Sequence, residues 1–364
     1  MFMLPSFMKL FRGKPADRTI WTADITYWIA GRKEAGHADP AWDTEEGYLQ
    51  LHRDLGIMPY YYYEKFWTAF PQYSGNIAVS HETQGNQSLN RIQTPLGALT
   101  EINTYLPSSS CMGCTKHYVE SEQDLDVLLY VLEHRRLEPA NLKDYSDRLF
   151  IWKQYDGLPC LGLPRSPLSA MVYEWAGIEQ TTYLLLDCEE KISEALQLME
   201  NQEEPILDAV CELAPPLVHF PDNLSSDNLA GYYDAYMAGT HARRLARLHA
   251  AGVKCAIHLD GTVRGLLSKL IETGFDAVEA LTPAPAGDLD MEEIREIAGN
   301  DPVILWGGVP GVMFAPPYTW REMETHVQSL LACWGKRPFV MGVADQVPPD
   351  GDIRFCRRIA EMLT

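Results

Sequence analysis

The chain has 364 residues, enough for one large domain or two smaller ones with substantial hydrophobic cores. It contains 50 acidic and 30 basic residues, and the resulting net charge of -20 argues against a nucleic-acid partner. The 46% of hydrophobic residues is typical of a soluble globular protein, and no apolar run is long enough to span a bilayer.

The eight cysteines are scattered along the chain, and the first residues lack the apolar core and cleavage site of a secretory signal peptide. Cys160, Cys211 and Cys255 lie within apolar runs, where a thiol behaves as a small hydrophobic group. Cys111 and Cys114 have CxxC spacing, but no second pair follows, so a zinc ribbon is not supported. We therefore expect a reduced, cytoplasmic protein that makes no membrane contact.

The first 150 residues are rich in aromatic side chains and in turn-forming residues. Residues 76–80, 91–94 and 98–105 have the composition of short strands, and the turns between them predict a small antiparallel excursion. Ser121 precedes a segment, residues 125–134, whose apolar positions recur at helical spacing. This pattern predicts a helix with a capping residue.

From residue 158 onward, apolar runs alternate with helical patterns at least six times. The runs are nearly continuous in hydrophobicity, as expected for parallel strands covered on both faces. They lie at residues 158–163, 217–220, 254–258, 276–281, 303–308 and 339–345. The helical patterns lie at residues 189–213, 229–251, 263–273, 291–298, 322–334 and 352–362. No glycine-rich nucleotide loop follows any of these runs.

This alternation and the chain length predict an α/β fold, a (β/α)8 TIM barrel with an N-terminal elaboration that contains the antiparallel excursion. We predict a single domain. Residues 1–150 would form the elaboration and the first barrel elements, and residues 151–364 the regular repeats.

Ionisable side chains follow two successive apolar runs. His258 and Asp260 come after one run, and Glu279 ends the next. Ligands bind at the carboxyl ends of parallel strands, where these metal-competent side chains would meet. Three alternatives remain at this point: His258 as a core histidine, Asp260 as a helix cap near residue 263, and an ion pair between Glu279 and Arg165 or Lys254.

Polar and aromatic side chains mark two further candidate regions. His219, Asp222 and Asn223 lie just past another apolar run and could orient a substrate, although Asn223 also fits a helix cap. Four consecutive tyrosines at residues 60–63 cannot all face the same side, so some hydroxyls must find polar partners. With Trp67 nearby, this run is typical of an aromatic-lined mouth suited to a flat aromatic ligand.

Four segments, in their order and spacing, resemble the uroporphyrinogen decarboxylase superfamily. They are residues 94–101, 218–225, 257–261 and 305–310, and the resemblance extends from about Trp21 to the C-terminus. It implies a TIM barrel with one of two chemistries. One is cofactor-free decarboxylation of a tetrapyrrole, and the other is zinc-dependent methyl transfer involving corrinoid proteins or coenzyme M.

The two branches differ in their arginines and cysteines. Decarboxylases of this superfamily carry an arginine-rich segment near the N-terminus, but the corresponding residues here, 21–28, contain no arginine. The methyltransferases bind zinc through a His-x-Cys pair and a later Cys. This chain keeps the histidine as His258 and has Asp260 and Asp345 in place of the thiolates, with Glu279 as a further oxygen donor. Asp345 could otherwise serve as a turn residue.

The resemblance therefore implies a metal site made by His258, Glu279, Asp260 and Asp345. Such an oxygen-rich site suits an ether or alcohol oxygen better than a thiol. The sequence predicts a zinc-dependent methyltransferase that moves a methyl group from a small O-methyl donor, such as a methoxylated aromatic, to the cobalt of a separate corrinoid protein.

The remaining roles follow from this prediction. His219, Asp222 and Asn223 are the expected catalytic residues. The expected substrate contacts are Tyr27, Tyr61, Trp67, Arg165 and Trp306. The expected partners are a corrinoid protein and a small methylated substrate, with homodimerisation left open.

Two other functions remain as alternatives. One is a metal-independent decarboxylase that uses Asp24 or Asp222 as its acid. The other is a barrel that binds a corrinoid or tetrapyrrole without turnover.

Overall fold

The computed structural model describes residues 2–363, and the two halves of the chain differ in architecture. The first half mixes short helices with short strands. Its elements are α1 (Leu4–Leu10), β1 (Trp21–Asp24), α2 (Thr26–Glu34), α3 (Glu45–Leu55), β2 (Ala69–Tyr73), β3 (Ala78–Gln84), β4 (Gln87–Thr94), β5 (Gly97–Leu106), β6 (Cys111–Lys116), α4 (Glu122–Glu133), β7 (Arg135–Pro139) and α5 (Leu142–Gln154).

The second half begins with four helices and then alternates strand and helix. Its elements are α6 (Pro167–Ala170), α7 (Gly177–Asp187), α8 (Glu189–Gln202), α9 (Glu204–Leu213), β8 (Leu217–Leu224), α10 (Ala238–Ala250), β9 (Lys254–Leu259), α11 (Leu267–Thr273), β10 (Ala277–Leu281), α12 (Met291–Ala298), β11 (Ile304–Pro310), α13 (Trp320–Trp334), β12 (Phe339–Gln346) and α14 (Arg354–Met362). Two π-helical turns lie at Met171–Ala176 and Tyr233–Met237.

A curled sheet of six parallel strands forms the centre of the molecule, in the order β1-β12-β11-β10-β9-β8. Every residue of β10 and β11 is buried, which explains the nearly continuous hydrophobic runs of the sequence. The predicted alternation of parallel strands and helices is confirmed. The structure assigns six regular strands to this sheet rather than the eight that the barrel prediction requires.

Two extended segments lie between the edges of the sheet. The Met58 backbone N–H donates to the Trp21 carbonyl of β1 at 2.8 Å. The Cys160 N–H donates to the Tyr60 carbonyl at 2.9 Å, and the His219 N–H of β8 donates to the Leu161 carbonyl at 2.8 Å. Backbone hydrogen bonds therefore run from β1 through both segments to β8.

The predicted antiparallel excursion is confirmed. Strands β3, β4, β5 and β6 form a four-stranded antiparallel sheet, which contains residues 91–94 and 98–105 and begins at Ala78 within the predicted segment 76–80. A separate antiparallel pair joins β2 to β7.

Several helices differ in their limits from the predictions. The pattern at 189–213 is two helices, because Pro205 lies at the start of α9 and supplies no N–H to continue α8. A π-helical turn precedes α10, and α11 begins at Leu267 rather than at 263. The cap of α4 is as predicted: the Ser121 hydroxyl accepts from the Asp124 N–H at 3.2 Å.

Helix α1 packs against the central sheet. Phe7 and Phe11 pack edge-on against Trp306, with ring centroids 5.2 and 6.5 Å apart. Trp306 is fully buried there, in the core and not at the carboxyl ends of the strands where a substrate contact was expected. Within residues 2–363, no helix is both long enough and apolar enough to cross a membrane.

Candidate metal centre

Three adjacent strands, β8, β9 and β10, carry the ionisable residues of the site. His219 lies on β8, His258 near the end of β9 and Glu279 on β10. Glu279 is the direct register partner of His258 across the β9–β10 pair. From these three adjacent strands the three side chains converge on one point.

The backbone is unusual at this end of the sheet. Asn223 of β8, Ala280 of β10 and Asp345 of β12 all have positive φ, at 51°, 59° and 65°. The β10–β11 register slips by one residue between Val278 and Leu281, so β10 contains a bulge at Glu279 and Ala280. Such costly conformations cluster at functional sites, and a bulge re-aims the side chain it carries.

Glu279 is held at both carboxylate oxygens. Its Oε2 accepts from His258 Nδ1 at 2.6 Å, and its Oε1 accepts from the Tyr61 hydroxyl. The residue is only 1% exposed, so its charge depends on these partners. The alternative pairing with Arg165 or Lys254 is wrong, because those two cations pair with Glu174 and Asp276.

His219 completes the group. Its Nε2 lies 3.8 Å from Glu279 Oε2, and its ring centroid lies 5.5 Å from that of His258. Its Nδ1 is buried and has no hydrogen-bond partner among residues 2–363. One ligand atom from each of His219, His258 and Glu279 lies within 4.8 Å of the other two, close enough for a single metal ion. These three residues are called the metal group below.

Burial and charge set the protonation states of these residues. Burial lowers the pKa of His219 to about 4, so this imidazole is neutral at pH 7. Burial alone would also lower the pKa of His258, but the charge and hydrogen bond of Glu279 raise it to about 9. Burial would raise the pKa of Glu279, but the charge of His258 and its hydrogen bond bring it below the ordinary value.

The donor set suits zinc. Two imidazoles and one carboxylate with an open fourth position form a known type of catalytic zinc site. His219 is neutral, so it requires no deprotonation to bind a metal. His258 must lose its proton, and Glu279 is already an anion. The residues present therefore fit a divalent ion without any cysteine.

Asp260 and Asp345, the other two predicted ligands, lie outside this group. Both residues reach solvent at the strand ends, and both act on His258 through their charges. Asp345 reaches solvent but is largely surrounded by protein, which raises its pKa to about 6. The structure thus brings together His258 and Glu279 as predicted, but it places His219 beside them instead of the two aspartates.

The local roles considered for the two aspartates also differ from the structure. Asp288 caps the turn after β9, since its Oδ1 accepts from the Val263 N–H at 2.8 Å, so Asp260 is not the cap. Asp345 lies within β12, not in a turn beyond it.

Asp222 is directed away from the metal group. It is fully buried, and its two oxygens pair with the Ser166 N–H and with His241 Nε2 of α10, both at 2.7 Å. Burial would raise the pKa of Asp222, but His241 lowers it to about 2. Asp222 therefore ties β8 to the helix behind it, and its catalytic role stays a prediction.

Asn223 and Arg165 form a neighbouring unit. Arg165 Nη1 donates to Asn223 Oδ1 at 3.2 Å and to the Pro221 carbonyl, and its guanidinium lies over the Tyr173 ring. Arg165 and Trp67 both line a small cavity of about 150 Å³. These two predicted substrate contacts are thus close together, beside the metal group and not within it.

The rim of the site is formed by α2 and the antiparallel sheet. The Tyr105 and Ser110 hydroxyls, beside the β5–β6 turn, each donate to Glu34 of α2 at 2.7 Å. Cys111 lies against Tyr27, whose pKa is raised to about 12 by burial and by this thiol. Tyr27 is half-buried beside Asp24 and Asp345, where a substrate contact was expected.

Asp24 adds a buried carboxyl group at the end of β1. It accepts hydrogen bonds from the Thr26 and Tyr63 hydroxyls at 2.7 and 2.9 Å. Burial raises its pKa even so.

Sequence reasoning missed two features of this centre: His219 as a potential ligand and Tyr61 as the partner of Glu279. The position of His219 in an apolar run that precedes the β9 run could have indicated the first. No signal in the sequence indicates which of four consecutive tyrosines meets Glu279.

Comparisons with known proteins bear on the fold. No family model matches the sequence, and no curated protein matches it either. A methyltransferase from Methanosarcina mazei superimposes with a TM-score of 0.60 and 12% identity, covering 100% of this chain and 99% of that chain.

Two further solved structures match less closely. A B12-independent methionine synthase from Shewanella sp. W3-18-1 has a TM-score of 0.45 and 11% identity, covering 72% of this chain and 74% of that one. A D-psicose 3-epimerase has a TM-score of 0.34 and 11% identity, covering 61% and 81%. Both TM-scores are too low to show a shared fold. At 12% identity the first match shows the fold alone: this chain shares the fold of a methyltransferase over its whole length.

Proposed function

We propose that this protein is a zinc-dependent methyltransferase that moves a methyl group from a small O-methyl donor to the cobalt of a separate corrinoid protein. The observation that carries the proposal is the convergence of His219, His258 and Glu279 from three adjacent parallel strands. The full-length likeness in fold to a methyltransferase supports it.

The chemistry of the donor set favours an oxygen-bound methyl group. A zinc ion held by His219, His258 and Glu279 would supply a Lewis acid for an ether oxygen. No cysteine belongs to this group, so the ligands are harder than a thiolate pair. During transfer, the C–O bond electrons remain on the leaving oxygen, and Co(I) supplies the electron pair of the new C–Co bond.

Aromatic side chains near the site support a methoxylated aromatic as the donor. Tyr27 lies at the rim, and Trp67 is 40% exposed beside Arg165. Flat rings pack well against such surfaces, and Arg165 could orient a polar substituent. The corrinoid would approach from the carboxyl ends of the strands, past the rim formed by α2 and the β5–β6 turn.

We also interpret the curled sheet as part of a closed (β/α)8 barrel. The backbone hydrogen bonds through residues 57–61 and 158–163 support this interpretation, because they connect β1 with β8. In that fold, active sites lie at the carboxyl ends of the strands.

A metal-independent decarboxylase is the second candidate. It is favoured by Asp24, whose buried carboxyl has a raised pKa and could donate a proton. This candidate predicts carbon dioxide release without zinc or a corrinoid.

A direct assay separates the two candidates. Zinc-loaded protein is mixed with cob(I)alamin and a panel of methoxylated aromatics, and the loss of the Co(I) absorbance is recorded. We expect methylation of the corrinoid only when protein, zinc and donor are all present. Full activity in a verified metal-free preparation would contradict the proposal.

A further inference from the structure

Hydrogen bonds to two backbone carbonyls fix the main chain at Tyr61. The Tyr48 hydroxyl donates to the Tyr61 carbonyl at 2.6 Å, and the Cys160 N–H donates to the neighbouring Tyr60 carbonyl at 2.9 Å. The peptide groups on both sides of the Tyr61 Cα are thus hydrogen-bonded to the surrounding fold. The position from which the Tyr61 side chain extends is therefore fixed.

The Tyr61 ring is held equally well. It is 2% exposed, and it packs edge-on against Tyr60 with ring centroids 5.0 Å apart. Trp306 lies 6.5 Å away on the core side. A ring packed in this way delivers its hydroxyl to one place, with little freedom to follow a substrate.

The two oxygens of Glu279 have different partners. Oε1 accepts the Tyr61 hydroxyl, whereas Oε2 accepts from His258 and is the oxygen nearest to His219. The proposed metal ion would therefore meet Oε2. Oε1 already accepts a hydrogen bond from the Tyr61 hydroxyl, whose ring is fixed by its packing.

We propose that Tyr61 is a positioning residue that makes Glu279 a one-oxygen ligand and so keeps a coordination position open for the methyl donor. This inference rests on the proposed function. Partners of metal ligands orient those ligands and typically change metal affinity about 10- to 100-fold when removed. Tyr61 therefore acts through Glu279 and not as the substrate contact expected from the sequence.

The same tyrosine run supplies a matched control. Tyr63, two residues further on, also donates its hydroxyl to a carboxylate, that of Asp24, at 2.9 Å. Asp24 does not belong to the group of three potential ligands. Tyr61→Phe and Tyr63→Phe each remove one hydroxyl that donates a hydrogen bond to a carboxylate. Only in Tyr61→Phe does that carboxylate belong to a proposed metal ligand.

The test measures zinc affinity by chelator competition and the visible spectrum of the cobalt(II)-substituted protein. Tyr61→Phe should weaken zinc binding by about 10- to 100-fold and shift the cobalt bands, as Glu279 changes its mode of binding. Tyr63→Phe should stay within about threefold of the wild type by the same reasoning. Equal zinc affinity and identical cobalt spectra for Tyr61→Phe and wild type would overturn the inference.

A second measurement needs no variant at all. Zinc added to the wild-type protein should produce a tyrosine band in the ultraviolet difference spectrum, because the partner of the Tyr61 hydroxyl gains a metal. The absence of that band at saturating zinc would contradict the inference, even if Tyr61→Phe failed to fold.

The outcomes also separate this inference from the proposed function. If the zinc affinities and spectra behave as expected but no donor methylates cob(I)alamin, the proposed function fails and the role of Tyr61 stands. If methyl transfer occurs and zinc affinity does not depend on Tyr61, only the inference fails.

Discussion

His258 and Glu279 form a charged pair in the metal-free protein. Burial opposes the charge on His258, yet Glu279 raises its pKa to about 9, so the imidazole is protonated at pH 7. A metal ion can bind His258 only after this proton has left. A zinc ion would therefore have to displace the His258 proton and break this ion pair before it could bind both residues.

This competition predicts a pH dependence of zinc binding. The folded pKa of His258 lies above its ordinary value, so the proton is present below about pH 9 and is lost above it. Zinc affinity should rise about tenfold per pH unit between pH 7 and 9 and then level off. Calorimetry in buffers of different ionisation enthalpy should detect about one proton released per zinc at pH 7.

A second prediction concerns which residues are ligands. His219→Ala should weaken zinc binding by more than about 100-fold, because losing a ligand costs more than losing a ligand's partner. Asp260→Asn should change it by less than about threefold, since Asp260 is exposed and acts only through its charge. Chelator competition on the two variants is the measurement. A stronger effect of Asp260→Asn would restore the ligand set expected from the sequence.

The sequence identifies only part of this site. His258 and Glu279 could be predicted because each ends an apolar run, and parallel strands bring their carboxyl ends together. The distinction between His219 and the two aspartates could not be made. It depends on the curl of the sheet and on the bulge at Ala280, and neither is visible in an apolar pattern.

At the scale of elements, a buried network joins β8 to α10. Asp222 pairs with His241, and the Tyr233 hydroxyl lies 3.2 Å from the other nitrogen of that ring. This network holds the strand that carries His219 against the helix behind it. It therefore supports the metal group without contacting it.

Removing Asp222 tests this structural role. Asp222→Ala leaves His241 and the Ser166 N–H without their partner, and we expect a loss of about 3 kcal/mol in the free energy of unfolding. Zinc affinity of the folded protein should change little. Urea unfolding with Asp260→Ala as an exposed control, expected within about 0.5 kcal/mol of wild type, provides the measurement.

The same pair predicts an effect of acid. The folded pKa of Asp222 is about 2, below its ordinary value of 3.8, so its stabilisation is present above pH 4 and is lost as the pH falls toward 2. The wild type should therefore lose more stability than Asp222→Ala over that interval. Parallel unfolding curves of the two proteins from pH 4 to 2 would contradict this account.

Element boundaries were less predictable than element types. The strand and helix alternation after residue 158 follows from hydrophobic periodicity alone. The division of residues 189–213 depends on one proline in a continuous amphipathic pattern. Helix α11 starts late because it follows a turn, in which the Val263 and Arg264 N–H groups donate to Asp288. Residues 158–163 lie beside β8 as an extended segment with backbone hydrogen bonds, and of these six residues only Gly162 forms β-bridges.

The whole molecule places its irregular half around the entrance to the site. The four-stranded antiparallel sheet reaches α2 through Glu34, and its Cys111 contacts Tyr27. Helix α1 packs against Trp306 in the core. The irregular half of the chain thus contributes both to the surroundings of the proposed metal centre and to the core of the sheet.

The central claim is that His219, His258 and Glu279 together hold one zinc ion. Elemental analysis of the purified protein after zinc supplementation and removal of excess metal tests it most directly. The account predicts one zinc per chain in the wild type and close to none in His219→Ala, His258→Ala and Glu279→Gln, with all four proteins folded. A wild type that retains no zinc, or a His219→Ala variant that retains one zinc per chain, would contradict it.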